Sequence, residues 1–136
     1  MIADLAAMQA IIDRSTFNRF LGLKATCLDP DRLVLSMPWQ EQIISNPDLR
    51  ATHGGVLATL VDVSCDYVIA ARIGRAVPTI DLRVDYHRVA TPGPLAVEAR
   101  IVHLGRTLAC AEAVVRNANG STVASGRGQY MVANPS

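Results

Sequence analysis

Charge is scarce in this sequence. Only 18% of its 136 residues are Asp, Glu, Lys or Arg, and 13 basic against 12 acidic side chains leave a formal net charge of +1. So weak and even a balance carries no electrostatic footprint for nucleic acid or an anionic membrane. Cysteine is scarce too. Cys27, Cys65 and Cys110 are odd in number, far apart and without a CxxC pair, and they show no metal-ligand spacing with His53, His87 or His103. This excludes a disulfide framework or a zinc site built on them, and it predicts reduced, buried thiols in a cytoplasmic protein. No apolar run reaches the roughly 20 residues that span a bilayer. The N-terminus lacks a basic segment followed by an apolar one, so no secretion signal is expected. Internal repeats, linkers and low-complexity segments are missing as well. What is abundant is apolar: half of the residues are hydrophobic, ample for one packed core and a single domain over 1–136. Low charge with a positive mean hydropathy also implies that another subunit covers part of the surface.

Periodicity divides the chain. Residues 3 to about 20 place Leu5, Met8, Ile11 or Ile12, and Phe20 near helical spacing, with Gly22 as the stop. Leu33 to Trp39 alternates as a strand after the Asp29-Pro30-Asp31 turn, and Leu23 to Leu28 is a short strand pairing with it. Residues 40 to 50 are polar and read as a loop around Asn46-Pro47-Asp48. From Gly54 to about Arg72 the apolar positions fall on more than one helical face, so this helix is expected to be buried almost all round, with Gly74 as its cap. Thr79 to Val89 alternates, with Ile80, Leu82, Val84 and Tyr86 on one face. Three more strands follow, Leu95 to Leu104, Thr107 to Arg116 and Ser121 to Val132, the last two joined through Asn119-Gly120, a hairpin signal. The expected fold is therefore α+β: an N-terminal helix and an antiparallel, curved sheet wrapped around one long central helix.

One stretch carries chemistry. THGGVLATLVD, residues 52 to 62, puts Gly54 and Gly55 at a helix start and a carboxylate, Asp62, among Leu60, Val61 and Val63. First-turn amides have no intrahelical acceptor and carry the positive end of the helix dipole. Glycine there lets a ligand oxygen approach, so Gly54 and Gly55 can polarise a carbonyl and hold the oxyanion formed from it. Close packing against a strand explains such glycines equally well. Asp62 lacks a cation at i±4, where Ala58 and Asp66 stand. It follows Gly54 by eight residues, about 12 Å of helix at about 1.5 Å per residue. One substrate atom cannot touch both. A second copy of the helix, antiparallel across a two-fold axis, would bring one chain's Gly54 to the other's Asp62.

The same stretch, after an Asn-containing loop and before a strand-rich half, resembles the hotdog-fold thioesterases, and most of all the phenylacetate-degradation (PaaI-like) acyl-CoA thioesterases. The resemblance implies an acyl-CoA thioesterase acting at a dimer interface, in a homodimer assembled further into a homotetramer, with no cofactor beyond the coenzyme A of its substrate and no metal. It makes Asp62 the catalytic base or nucleophile and Gly54 the amide that polarises the thioester carbonyl. Thr79 would orient water, Asn46 would complete the site, and His53 would play a positional part beside Gly55. Arg88 and Arg106 would meet the phosphates of coenzyme A, with Arg83, Arg127 and Arg75 as weaker choices. Aryl, arylacetyl and short-to-medium acyl groups all fit this reading. Two alternatives stay open: a non-catalytic acyl-CoA-binding hotdog protein, and a hotdog hydratase or dehydratase pairing Asp with His53. Ser64 and Cys65 have no His/Asp arrangement in the sequence and are not expected to act as nucleophiles. His87 and His103 are expected in structural or surface roles, and Trp39 in packing at a strand end.

Overall fold

The computed structural model describes residues 1–134. Asp4 starts α1 (Leu5–Ile12) by accepting the Ala7 N–H at 2.8 Å. The single N-terminal helix expected over 3 to 20 is in fact two. Ser15 offers its hydroxyl oxygen to the Asn18 N–H at 3.2 Å and starts α2 (Thr16–Leu21), which Gly22 ends at φ 71°. Of the expected apolar stripe, Met8 and Ile12 are fully buried, whereas Leu5 and Phe20 are exposed. The break after Ile12 turns α2 away, and Phe20 stacks on Phe17 outside the core instead.

β1 (Lys24–Asp29) and β2 (Arg32–Met37) form the expected hairpin. Residues 40 to 50 correct the loop reading. A 3-10 turn, Glu41–Ile43, leads into β3 (Ile44–Asn46), which pairs with β4 (Ala51–Thr52). Within that small hairpin Asn46 Oδ1 accepts the Asp48 N–H at 2.8 Å, so the Asn-Pro-Asp turn is where the sequence placed it. Trp39 packs against the core, donates to Glu41 and lies under the Arg50 guanidinium.

α3 (Gly54–Ile73) is followed by β5 (Thr79–Tyr86), β6 (Leu95–Leu104), β7 (Leu108–Arg116) and β8 (Thr122–Met131). Six strands make one antiparallel sheet in the order β1-β2-β6-β7-β8-β5, and α3 lies across its concave face. Leu57, Leu60, Val61, Ser64, Cys65 and Val68 of the helix are buried against Leu33, Leu35, Val97 and Val115. Ala109, Ala111 and Ala113 on β7 are small enough to let the helix settle close. Gly126 on β8 completes that seat, because a Cβ there would come within 2.8 Å of Val61 Cγ1.

Two expectations about β5 need correction. The strand stops at Tyr86, because His87 and Arg88 both donate to the Val123 carbonyl and leave the regular ladder. Its apolar face is also only half covered. Leu82 and Val84 pack on the core, whereas Ile80 is 51% and Tyr86 56% exposed. β5 is a sheet edge with a bulge between Thr79 and Asp81, so no further strand covers it. Cys65 and Cys110 are buried as expected, but Cys27 is partly exposed beside Arg32.

Candidate active site

The start of α3 shows how the glycine pair is used. His53 is the N-cap, and its Nδ1 accepts the Gly55 N–H at 2.9 Å. The bond requires that nitrogen to be unprotonated. The His53 carbonyl takes the amides of Val56 and Leu57 at 2.9 and 3.3 Å. Among the described residues, the Gly54 N–H is left without an acceptor. The Tyr86 hydroxyl donates to the Gly54 carbonyl at 2.8 Å, and its ring flanks the glycine so closely that a Cβ would meet Cε1 at 3.4 Å. Gly54 and Tyr86 share a hollow of about 350 Å³ with Arg88, Leu57 and Val89.

Two turns further on, Asp62 is half-buried. Thr79 Oγ1 donates to its Oδ1 at 2.8 Å, and the Tyr130 hydroxyl reaches the same Oδ1 at 3.0 Å and the Asp62 carbonyl at 3.1 Å. Asp62 Oδ2 has no donor among the described residues. A carboxylate with one oxygen anchored and the other free is equipped to take a proton or to attack an electrophile. Tyr130 was not singled out in the sequence. The only sequence signal that finds it is the spacing Gly128-Gln129-Tyr130, which sets a glycine and a tyrosine on one face of a strand.

One turn below, Asp66 accepts the Val77 N–H at 3.1 Å. Burial pushes its carboxyl up from 3.8 to about 6; the Val77 hydrogen bond opposes this, and the neighbouring Asp62 charge adds to it. Because the folded value lies above the unfolded one, the native state holds this proton more tightly. Stability therefore falls as pH rises from about 4 to about 6, and the cost is complete above that window. Asp66→Asn keeps an acceptor for Val77 and removes the charge. Thermal melts should find the variant about 1–3 kcal/mol more stable than the parent at neutral pH, with the gap closing toward pH 4. A gap that does not depend on pH would refute the assignment.

The remaining candidates lie apart within one chain. Asn46 sits on the exposed β3–β4 hairpin with its side-chain oxygen engaged in its own turn. Arg88 makes only a 3.4 Å bond to the Thr122 carbonyl, at the Gly54 end of the sheet. Arg106, in the β6–β7 turn, makes no hydrogen bond or ion pair among the described residues. It lies at the Asp62 end, since Leu108 pairs with Met131 and Thr79 with Tyr130. Arg83 and Arg127 pair with Asp85 and Glu112 around a larger hollow of about 480 Å³ on the outer sheet face, which includes neither Gly54 nor Asp62. Arg75 donates to the Val132 carbonyl. Ser64 is buried and bonded to the Val61 carbonyl, and burial pushes the Cys65 thiol up to about 12. Neither has the activation a nucleophile needs. Among the described residues no helix is long and apolar enough to cross a membrane.

Comparison with known proteins agrees with this geometry. The profile of the Thioesterase superfamily matches residues 50–124, from just before the helix start to the last strand. A solved structure from the thioesterase superfamily superposes with a TM-score of 0.91 at 46% identity, over 93% of this chain and 96% of that one. The medium/long-chain acyl-CoA thioesterase YigI of Escherichia coli is 27% identical, over 97% of this chain and 99% of its own length. The E. coli PaaI protein of the phenylacetic acid degradation operon shares the fold, with a TM-score of 0.83 at 23% identity over 94% of this chain and 95% of that one. A curved antiparallel sheet around one long helix, with the family's profile spanning that helix and its flanking strands, is the hotdog fold, and the chain belongs to the thioesterase superfamily.

Proposed function

We propose that this thioester hydrolase converts acyl-CoA and water to a carboxylic acid and coenzyme A, in a cleft built by two copies of the chain. The observation that carries the proposal is the pair of unfilled groups on α3: the Gly54 N–H without an acceptor and Asp62 Oδ2 without a donor. They stand about 12 Å apart along one helix, too far for one thioester group. An antiparallel second helix brings each to its complement. The exposed edge strand β5, with Ile80 and Tyr86 on it and Val89 just beyond it more than half exposed, supports a partner on that side. The proposed assembly is a homodimer, paired again into a homotetramer, of a cytoplasmic one-domain protein.

In this cleft the thioester oxygen accepts the Gly54 N–H at the positive end of α3. Asp62 of the other chain removes a proton from water as its oxygen bonds to the carbonyl carbon, and the carbonyl electron pair moves onto the held oxygen. Collapse breaks the C–S bond, and the coenzyme A thiolate leaves and is protonated. Direct attack by Asp62 uses the same groups, with water then cleaving the anhydride. No cofactor is needed beyond the substrate's own coenzyme A. His53 fixes the helix start through Gly55, and Asn46 belongs to the hairpin that delivers it. Arg88 arrives with Gly54 from one chain and Arg106 with Asp62 from the other, so both serve the phosphates at the cleft mouth. Replacing either arginine by alanine should raise KM for acyl-CoA about tenfold with kcat nearly unchanged. An N-acetylcysteamine thioester, which lacks those phosphates, should show no such change; an equal rise for both substrates would remove the phosphate role.

The acyl groups proposed are aryl, arylacetyl and short-to-medium chains. A panel of acyl-CoAs, including longer chains, followed by free-thiol release tests the reading. Thiol release with at least one class supports it. Binding without release throughout the panel would assign a non-catalytic acyl-CoA-binding role instead, and hydration of an enoyl-CoA would assign a hydratase.

A further inference from the structure

Building on that reading of the cleft, we propose that Tyr130 is a positioning residue for the hydrolysis: its hydroxyl, together with Thr79, loads Asp62 Oδ1 and reserves Oδ2 as the reacting oxygen. A free carboxylate presents two equivalent oxygens and turns about its Cβ–Cγ bond. Here the oxygens are made different. Thr79 Oγ1 and the Tyr130 hydroxyl lie 2.8 and 3.0 Å from Oδ1. These two residues face each other across the β5–β8 ladder, so both donors come from one rung of the sheet. Thr79 is exposed, and water competes for its bond. Tyr130 is fully buried, and its one proton is shared between Oδ1 and the Asp62 carbonyl at 3.1 Å, so it ties the carboxylate to its own backbone away from water. The fold makes room for it at one position. A Cβ at Gly128, two residues earlier on the same face, would overlap the phenol oxygen. The ring therefore leans over bare backbone to reach the helix. Burial, with the nearby Cys65 and Asp62, pushes the phenol's titration upward, which keeps it a donor throughout the working pH range. Holding one oxygen orients the other toward the substrate side, an orientation worth more in the transition state than in binding.

Tyr130→Phe keeps the ring and deletes only the hydroxyl. The expected result is a cooperative melt, kcat lowered about tenfold and KM within about twofold of the parent. The other groups facing Asp62 are Asp66 and Cys65 on its own helix and Thr79 on β5, and all are unchanged in this variant. Thr79→Val should lower kcat in the same way with KM little changed, and the double variant should lose more than either single one. A folded Tyr130→Phe protein with kcat within twofold of the parent, or with KM raised as much as kcat falls, would reduce the phenol to a space-filler. If Tyr130→Phe lost its cooperative melt, Thr79→Val would decide alone: a kcat within twofold of the parent in that variant would overturn the anchoring of Oδ1. Asp62→Asn assayed alongside separates the two ideas. Full turnover by that variant would overturn the cleft itself, whereas a dead Asp62→Asn beside a normal Tyr130→Phe would overturn the positioning alone.

Discussion

Asp62→Asn should give a folded protein whose kcat on its best acyl-CoA is about 10³-fold lower, with KM little changed. The substitution is nearly isosteric. Its side-chain oxygen still accepts from Thr79 and Tyr130 at the Oδ1 position, so the local packing survives. What changes is the other end of the group. An amide nitrogen replaces the free oxygen, and it can neither take a proton from water nor attack a carbonyl. Steady-state thiol release, read beside a melting curve and a sizing column, checks the result. Turnover above half of the parent's in a folded protein would end the role given to Asp62.

Gly54→Pro is the second large effect, and it removes a single N–H. Gly54 is the first residue of α3, a position where proline is well tolerated because its missing donor has no intrahelical acceptor. The preceding residue, His53, has ψ 132°, the extended geometry that precedes proline without clash. The helix should therefore form, while the donor offered to the thioester oxygen disappears. The expected loss is about 10²–10³-fold in kcat, the range for one oxyanion donor. Combining the two variants goes further. If each site takes Gly54 from one chain and Asp62 from the other, a mixed dimer of Gly54→Pro and Asp62→Asn chains has one site with both defects and one with neither. Co-expression should then restore about a quarter of parental activity, since random pairing makes half of the dimers mixed and each has one working site of two. No recovery from a confirmed mixed dimer would mean that each site lies within a single chain.

Much of the fold was legible because the pattern and the structure follow the same physics. α3 and β6 match their expected spans because a long helix and a half-buried strand repeat their apolar positions over many residues. The N-terminal segment departs from its apolar repeat because a short-range effect, the Ser15 hydroxyl competing for a backbone amide, overrides a pattern that continues past it. The β3–β4 hairpin was hidden in a polar stretch whose strands have too few residues to show a period. Ile80 and Tyr86 alternate as a buried face would, yet stay exposed, because β5 is a sheet edge on which only Leu82 and Val84 pack against the core. At the site, the motif from His53 to Asp62 was visible because its members are close in sequence. Tyr130 was not, because it reaches Asp62 only through the pairing of β5 with β8, and no local pattern announces that pairing.

The seat of α3 has a consequence for selectivity. With Ala109, Ala111, Ala113 and Gly126 beneath it, the middle of the helix is packed directly on the strands. In the proposed dimer, the tail of the substrate would then thread the seam where the two copies meet. Changes of residue along that seam can lengthen or shorten the preferred tail without disturbing the interior that keeps each copy folded.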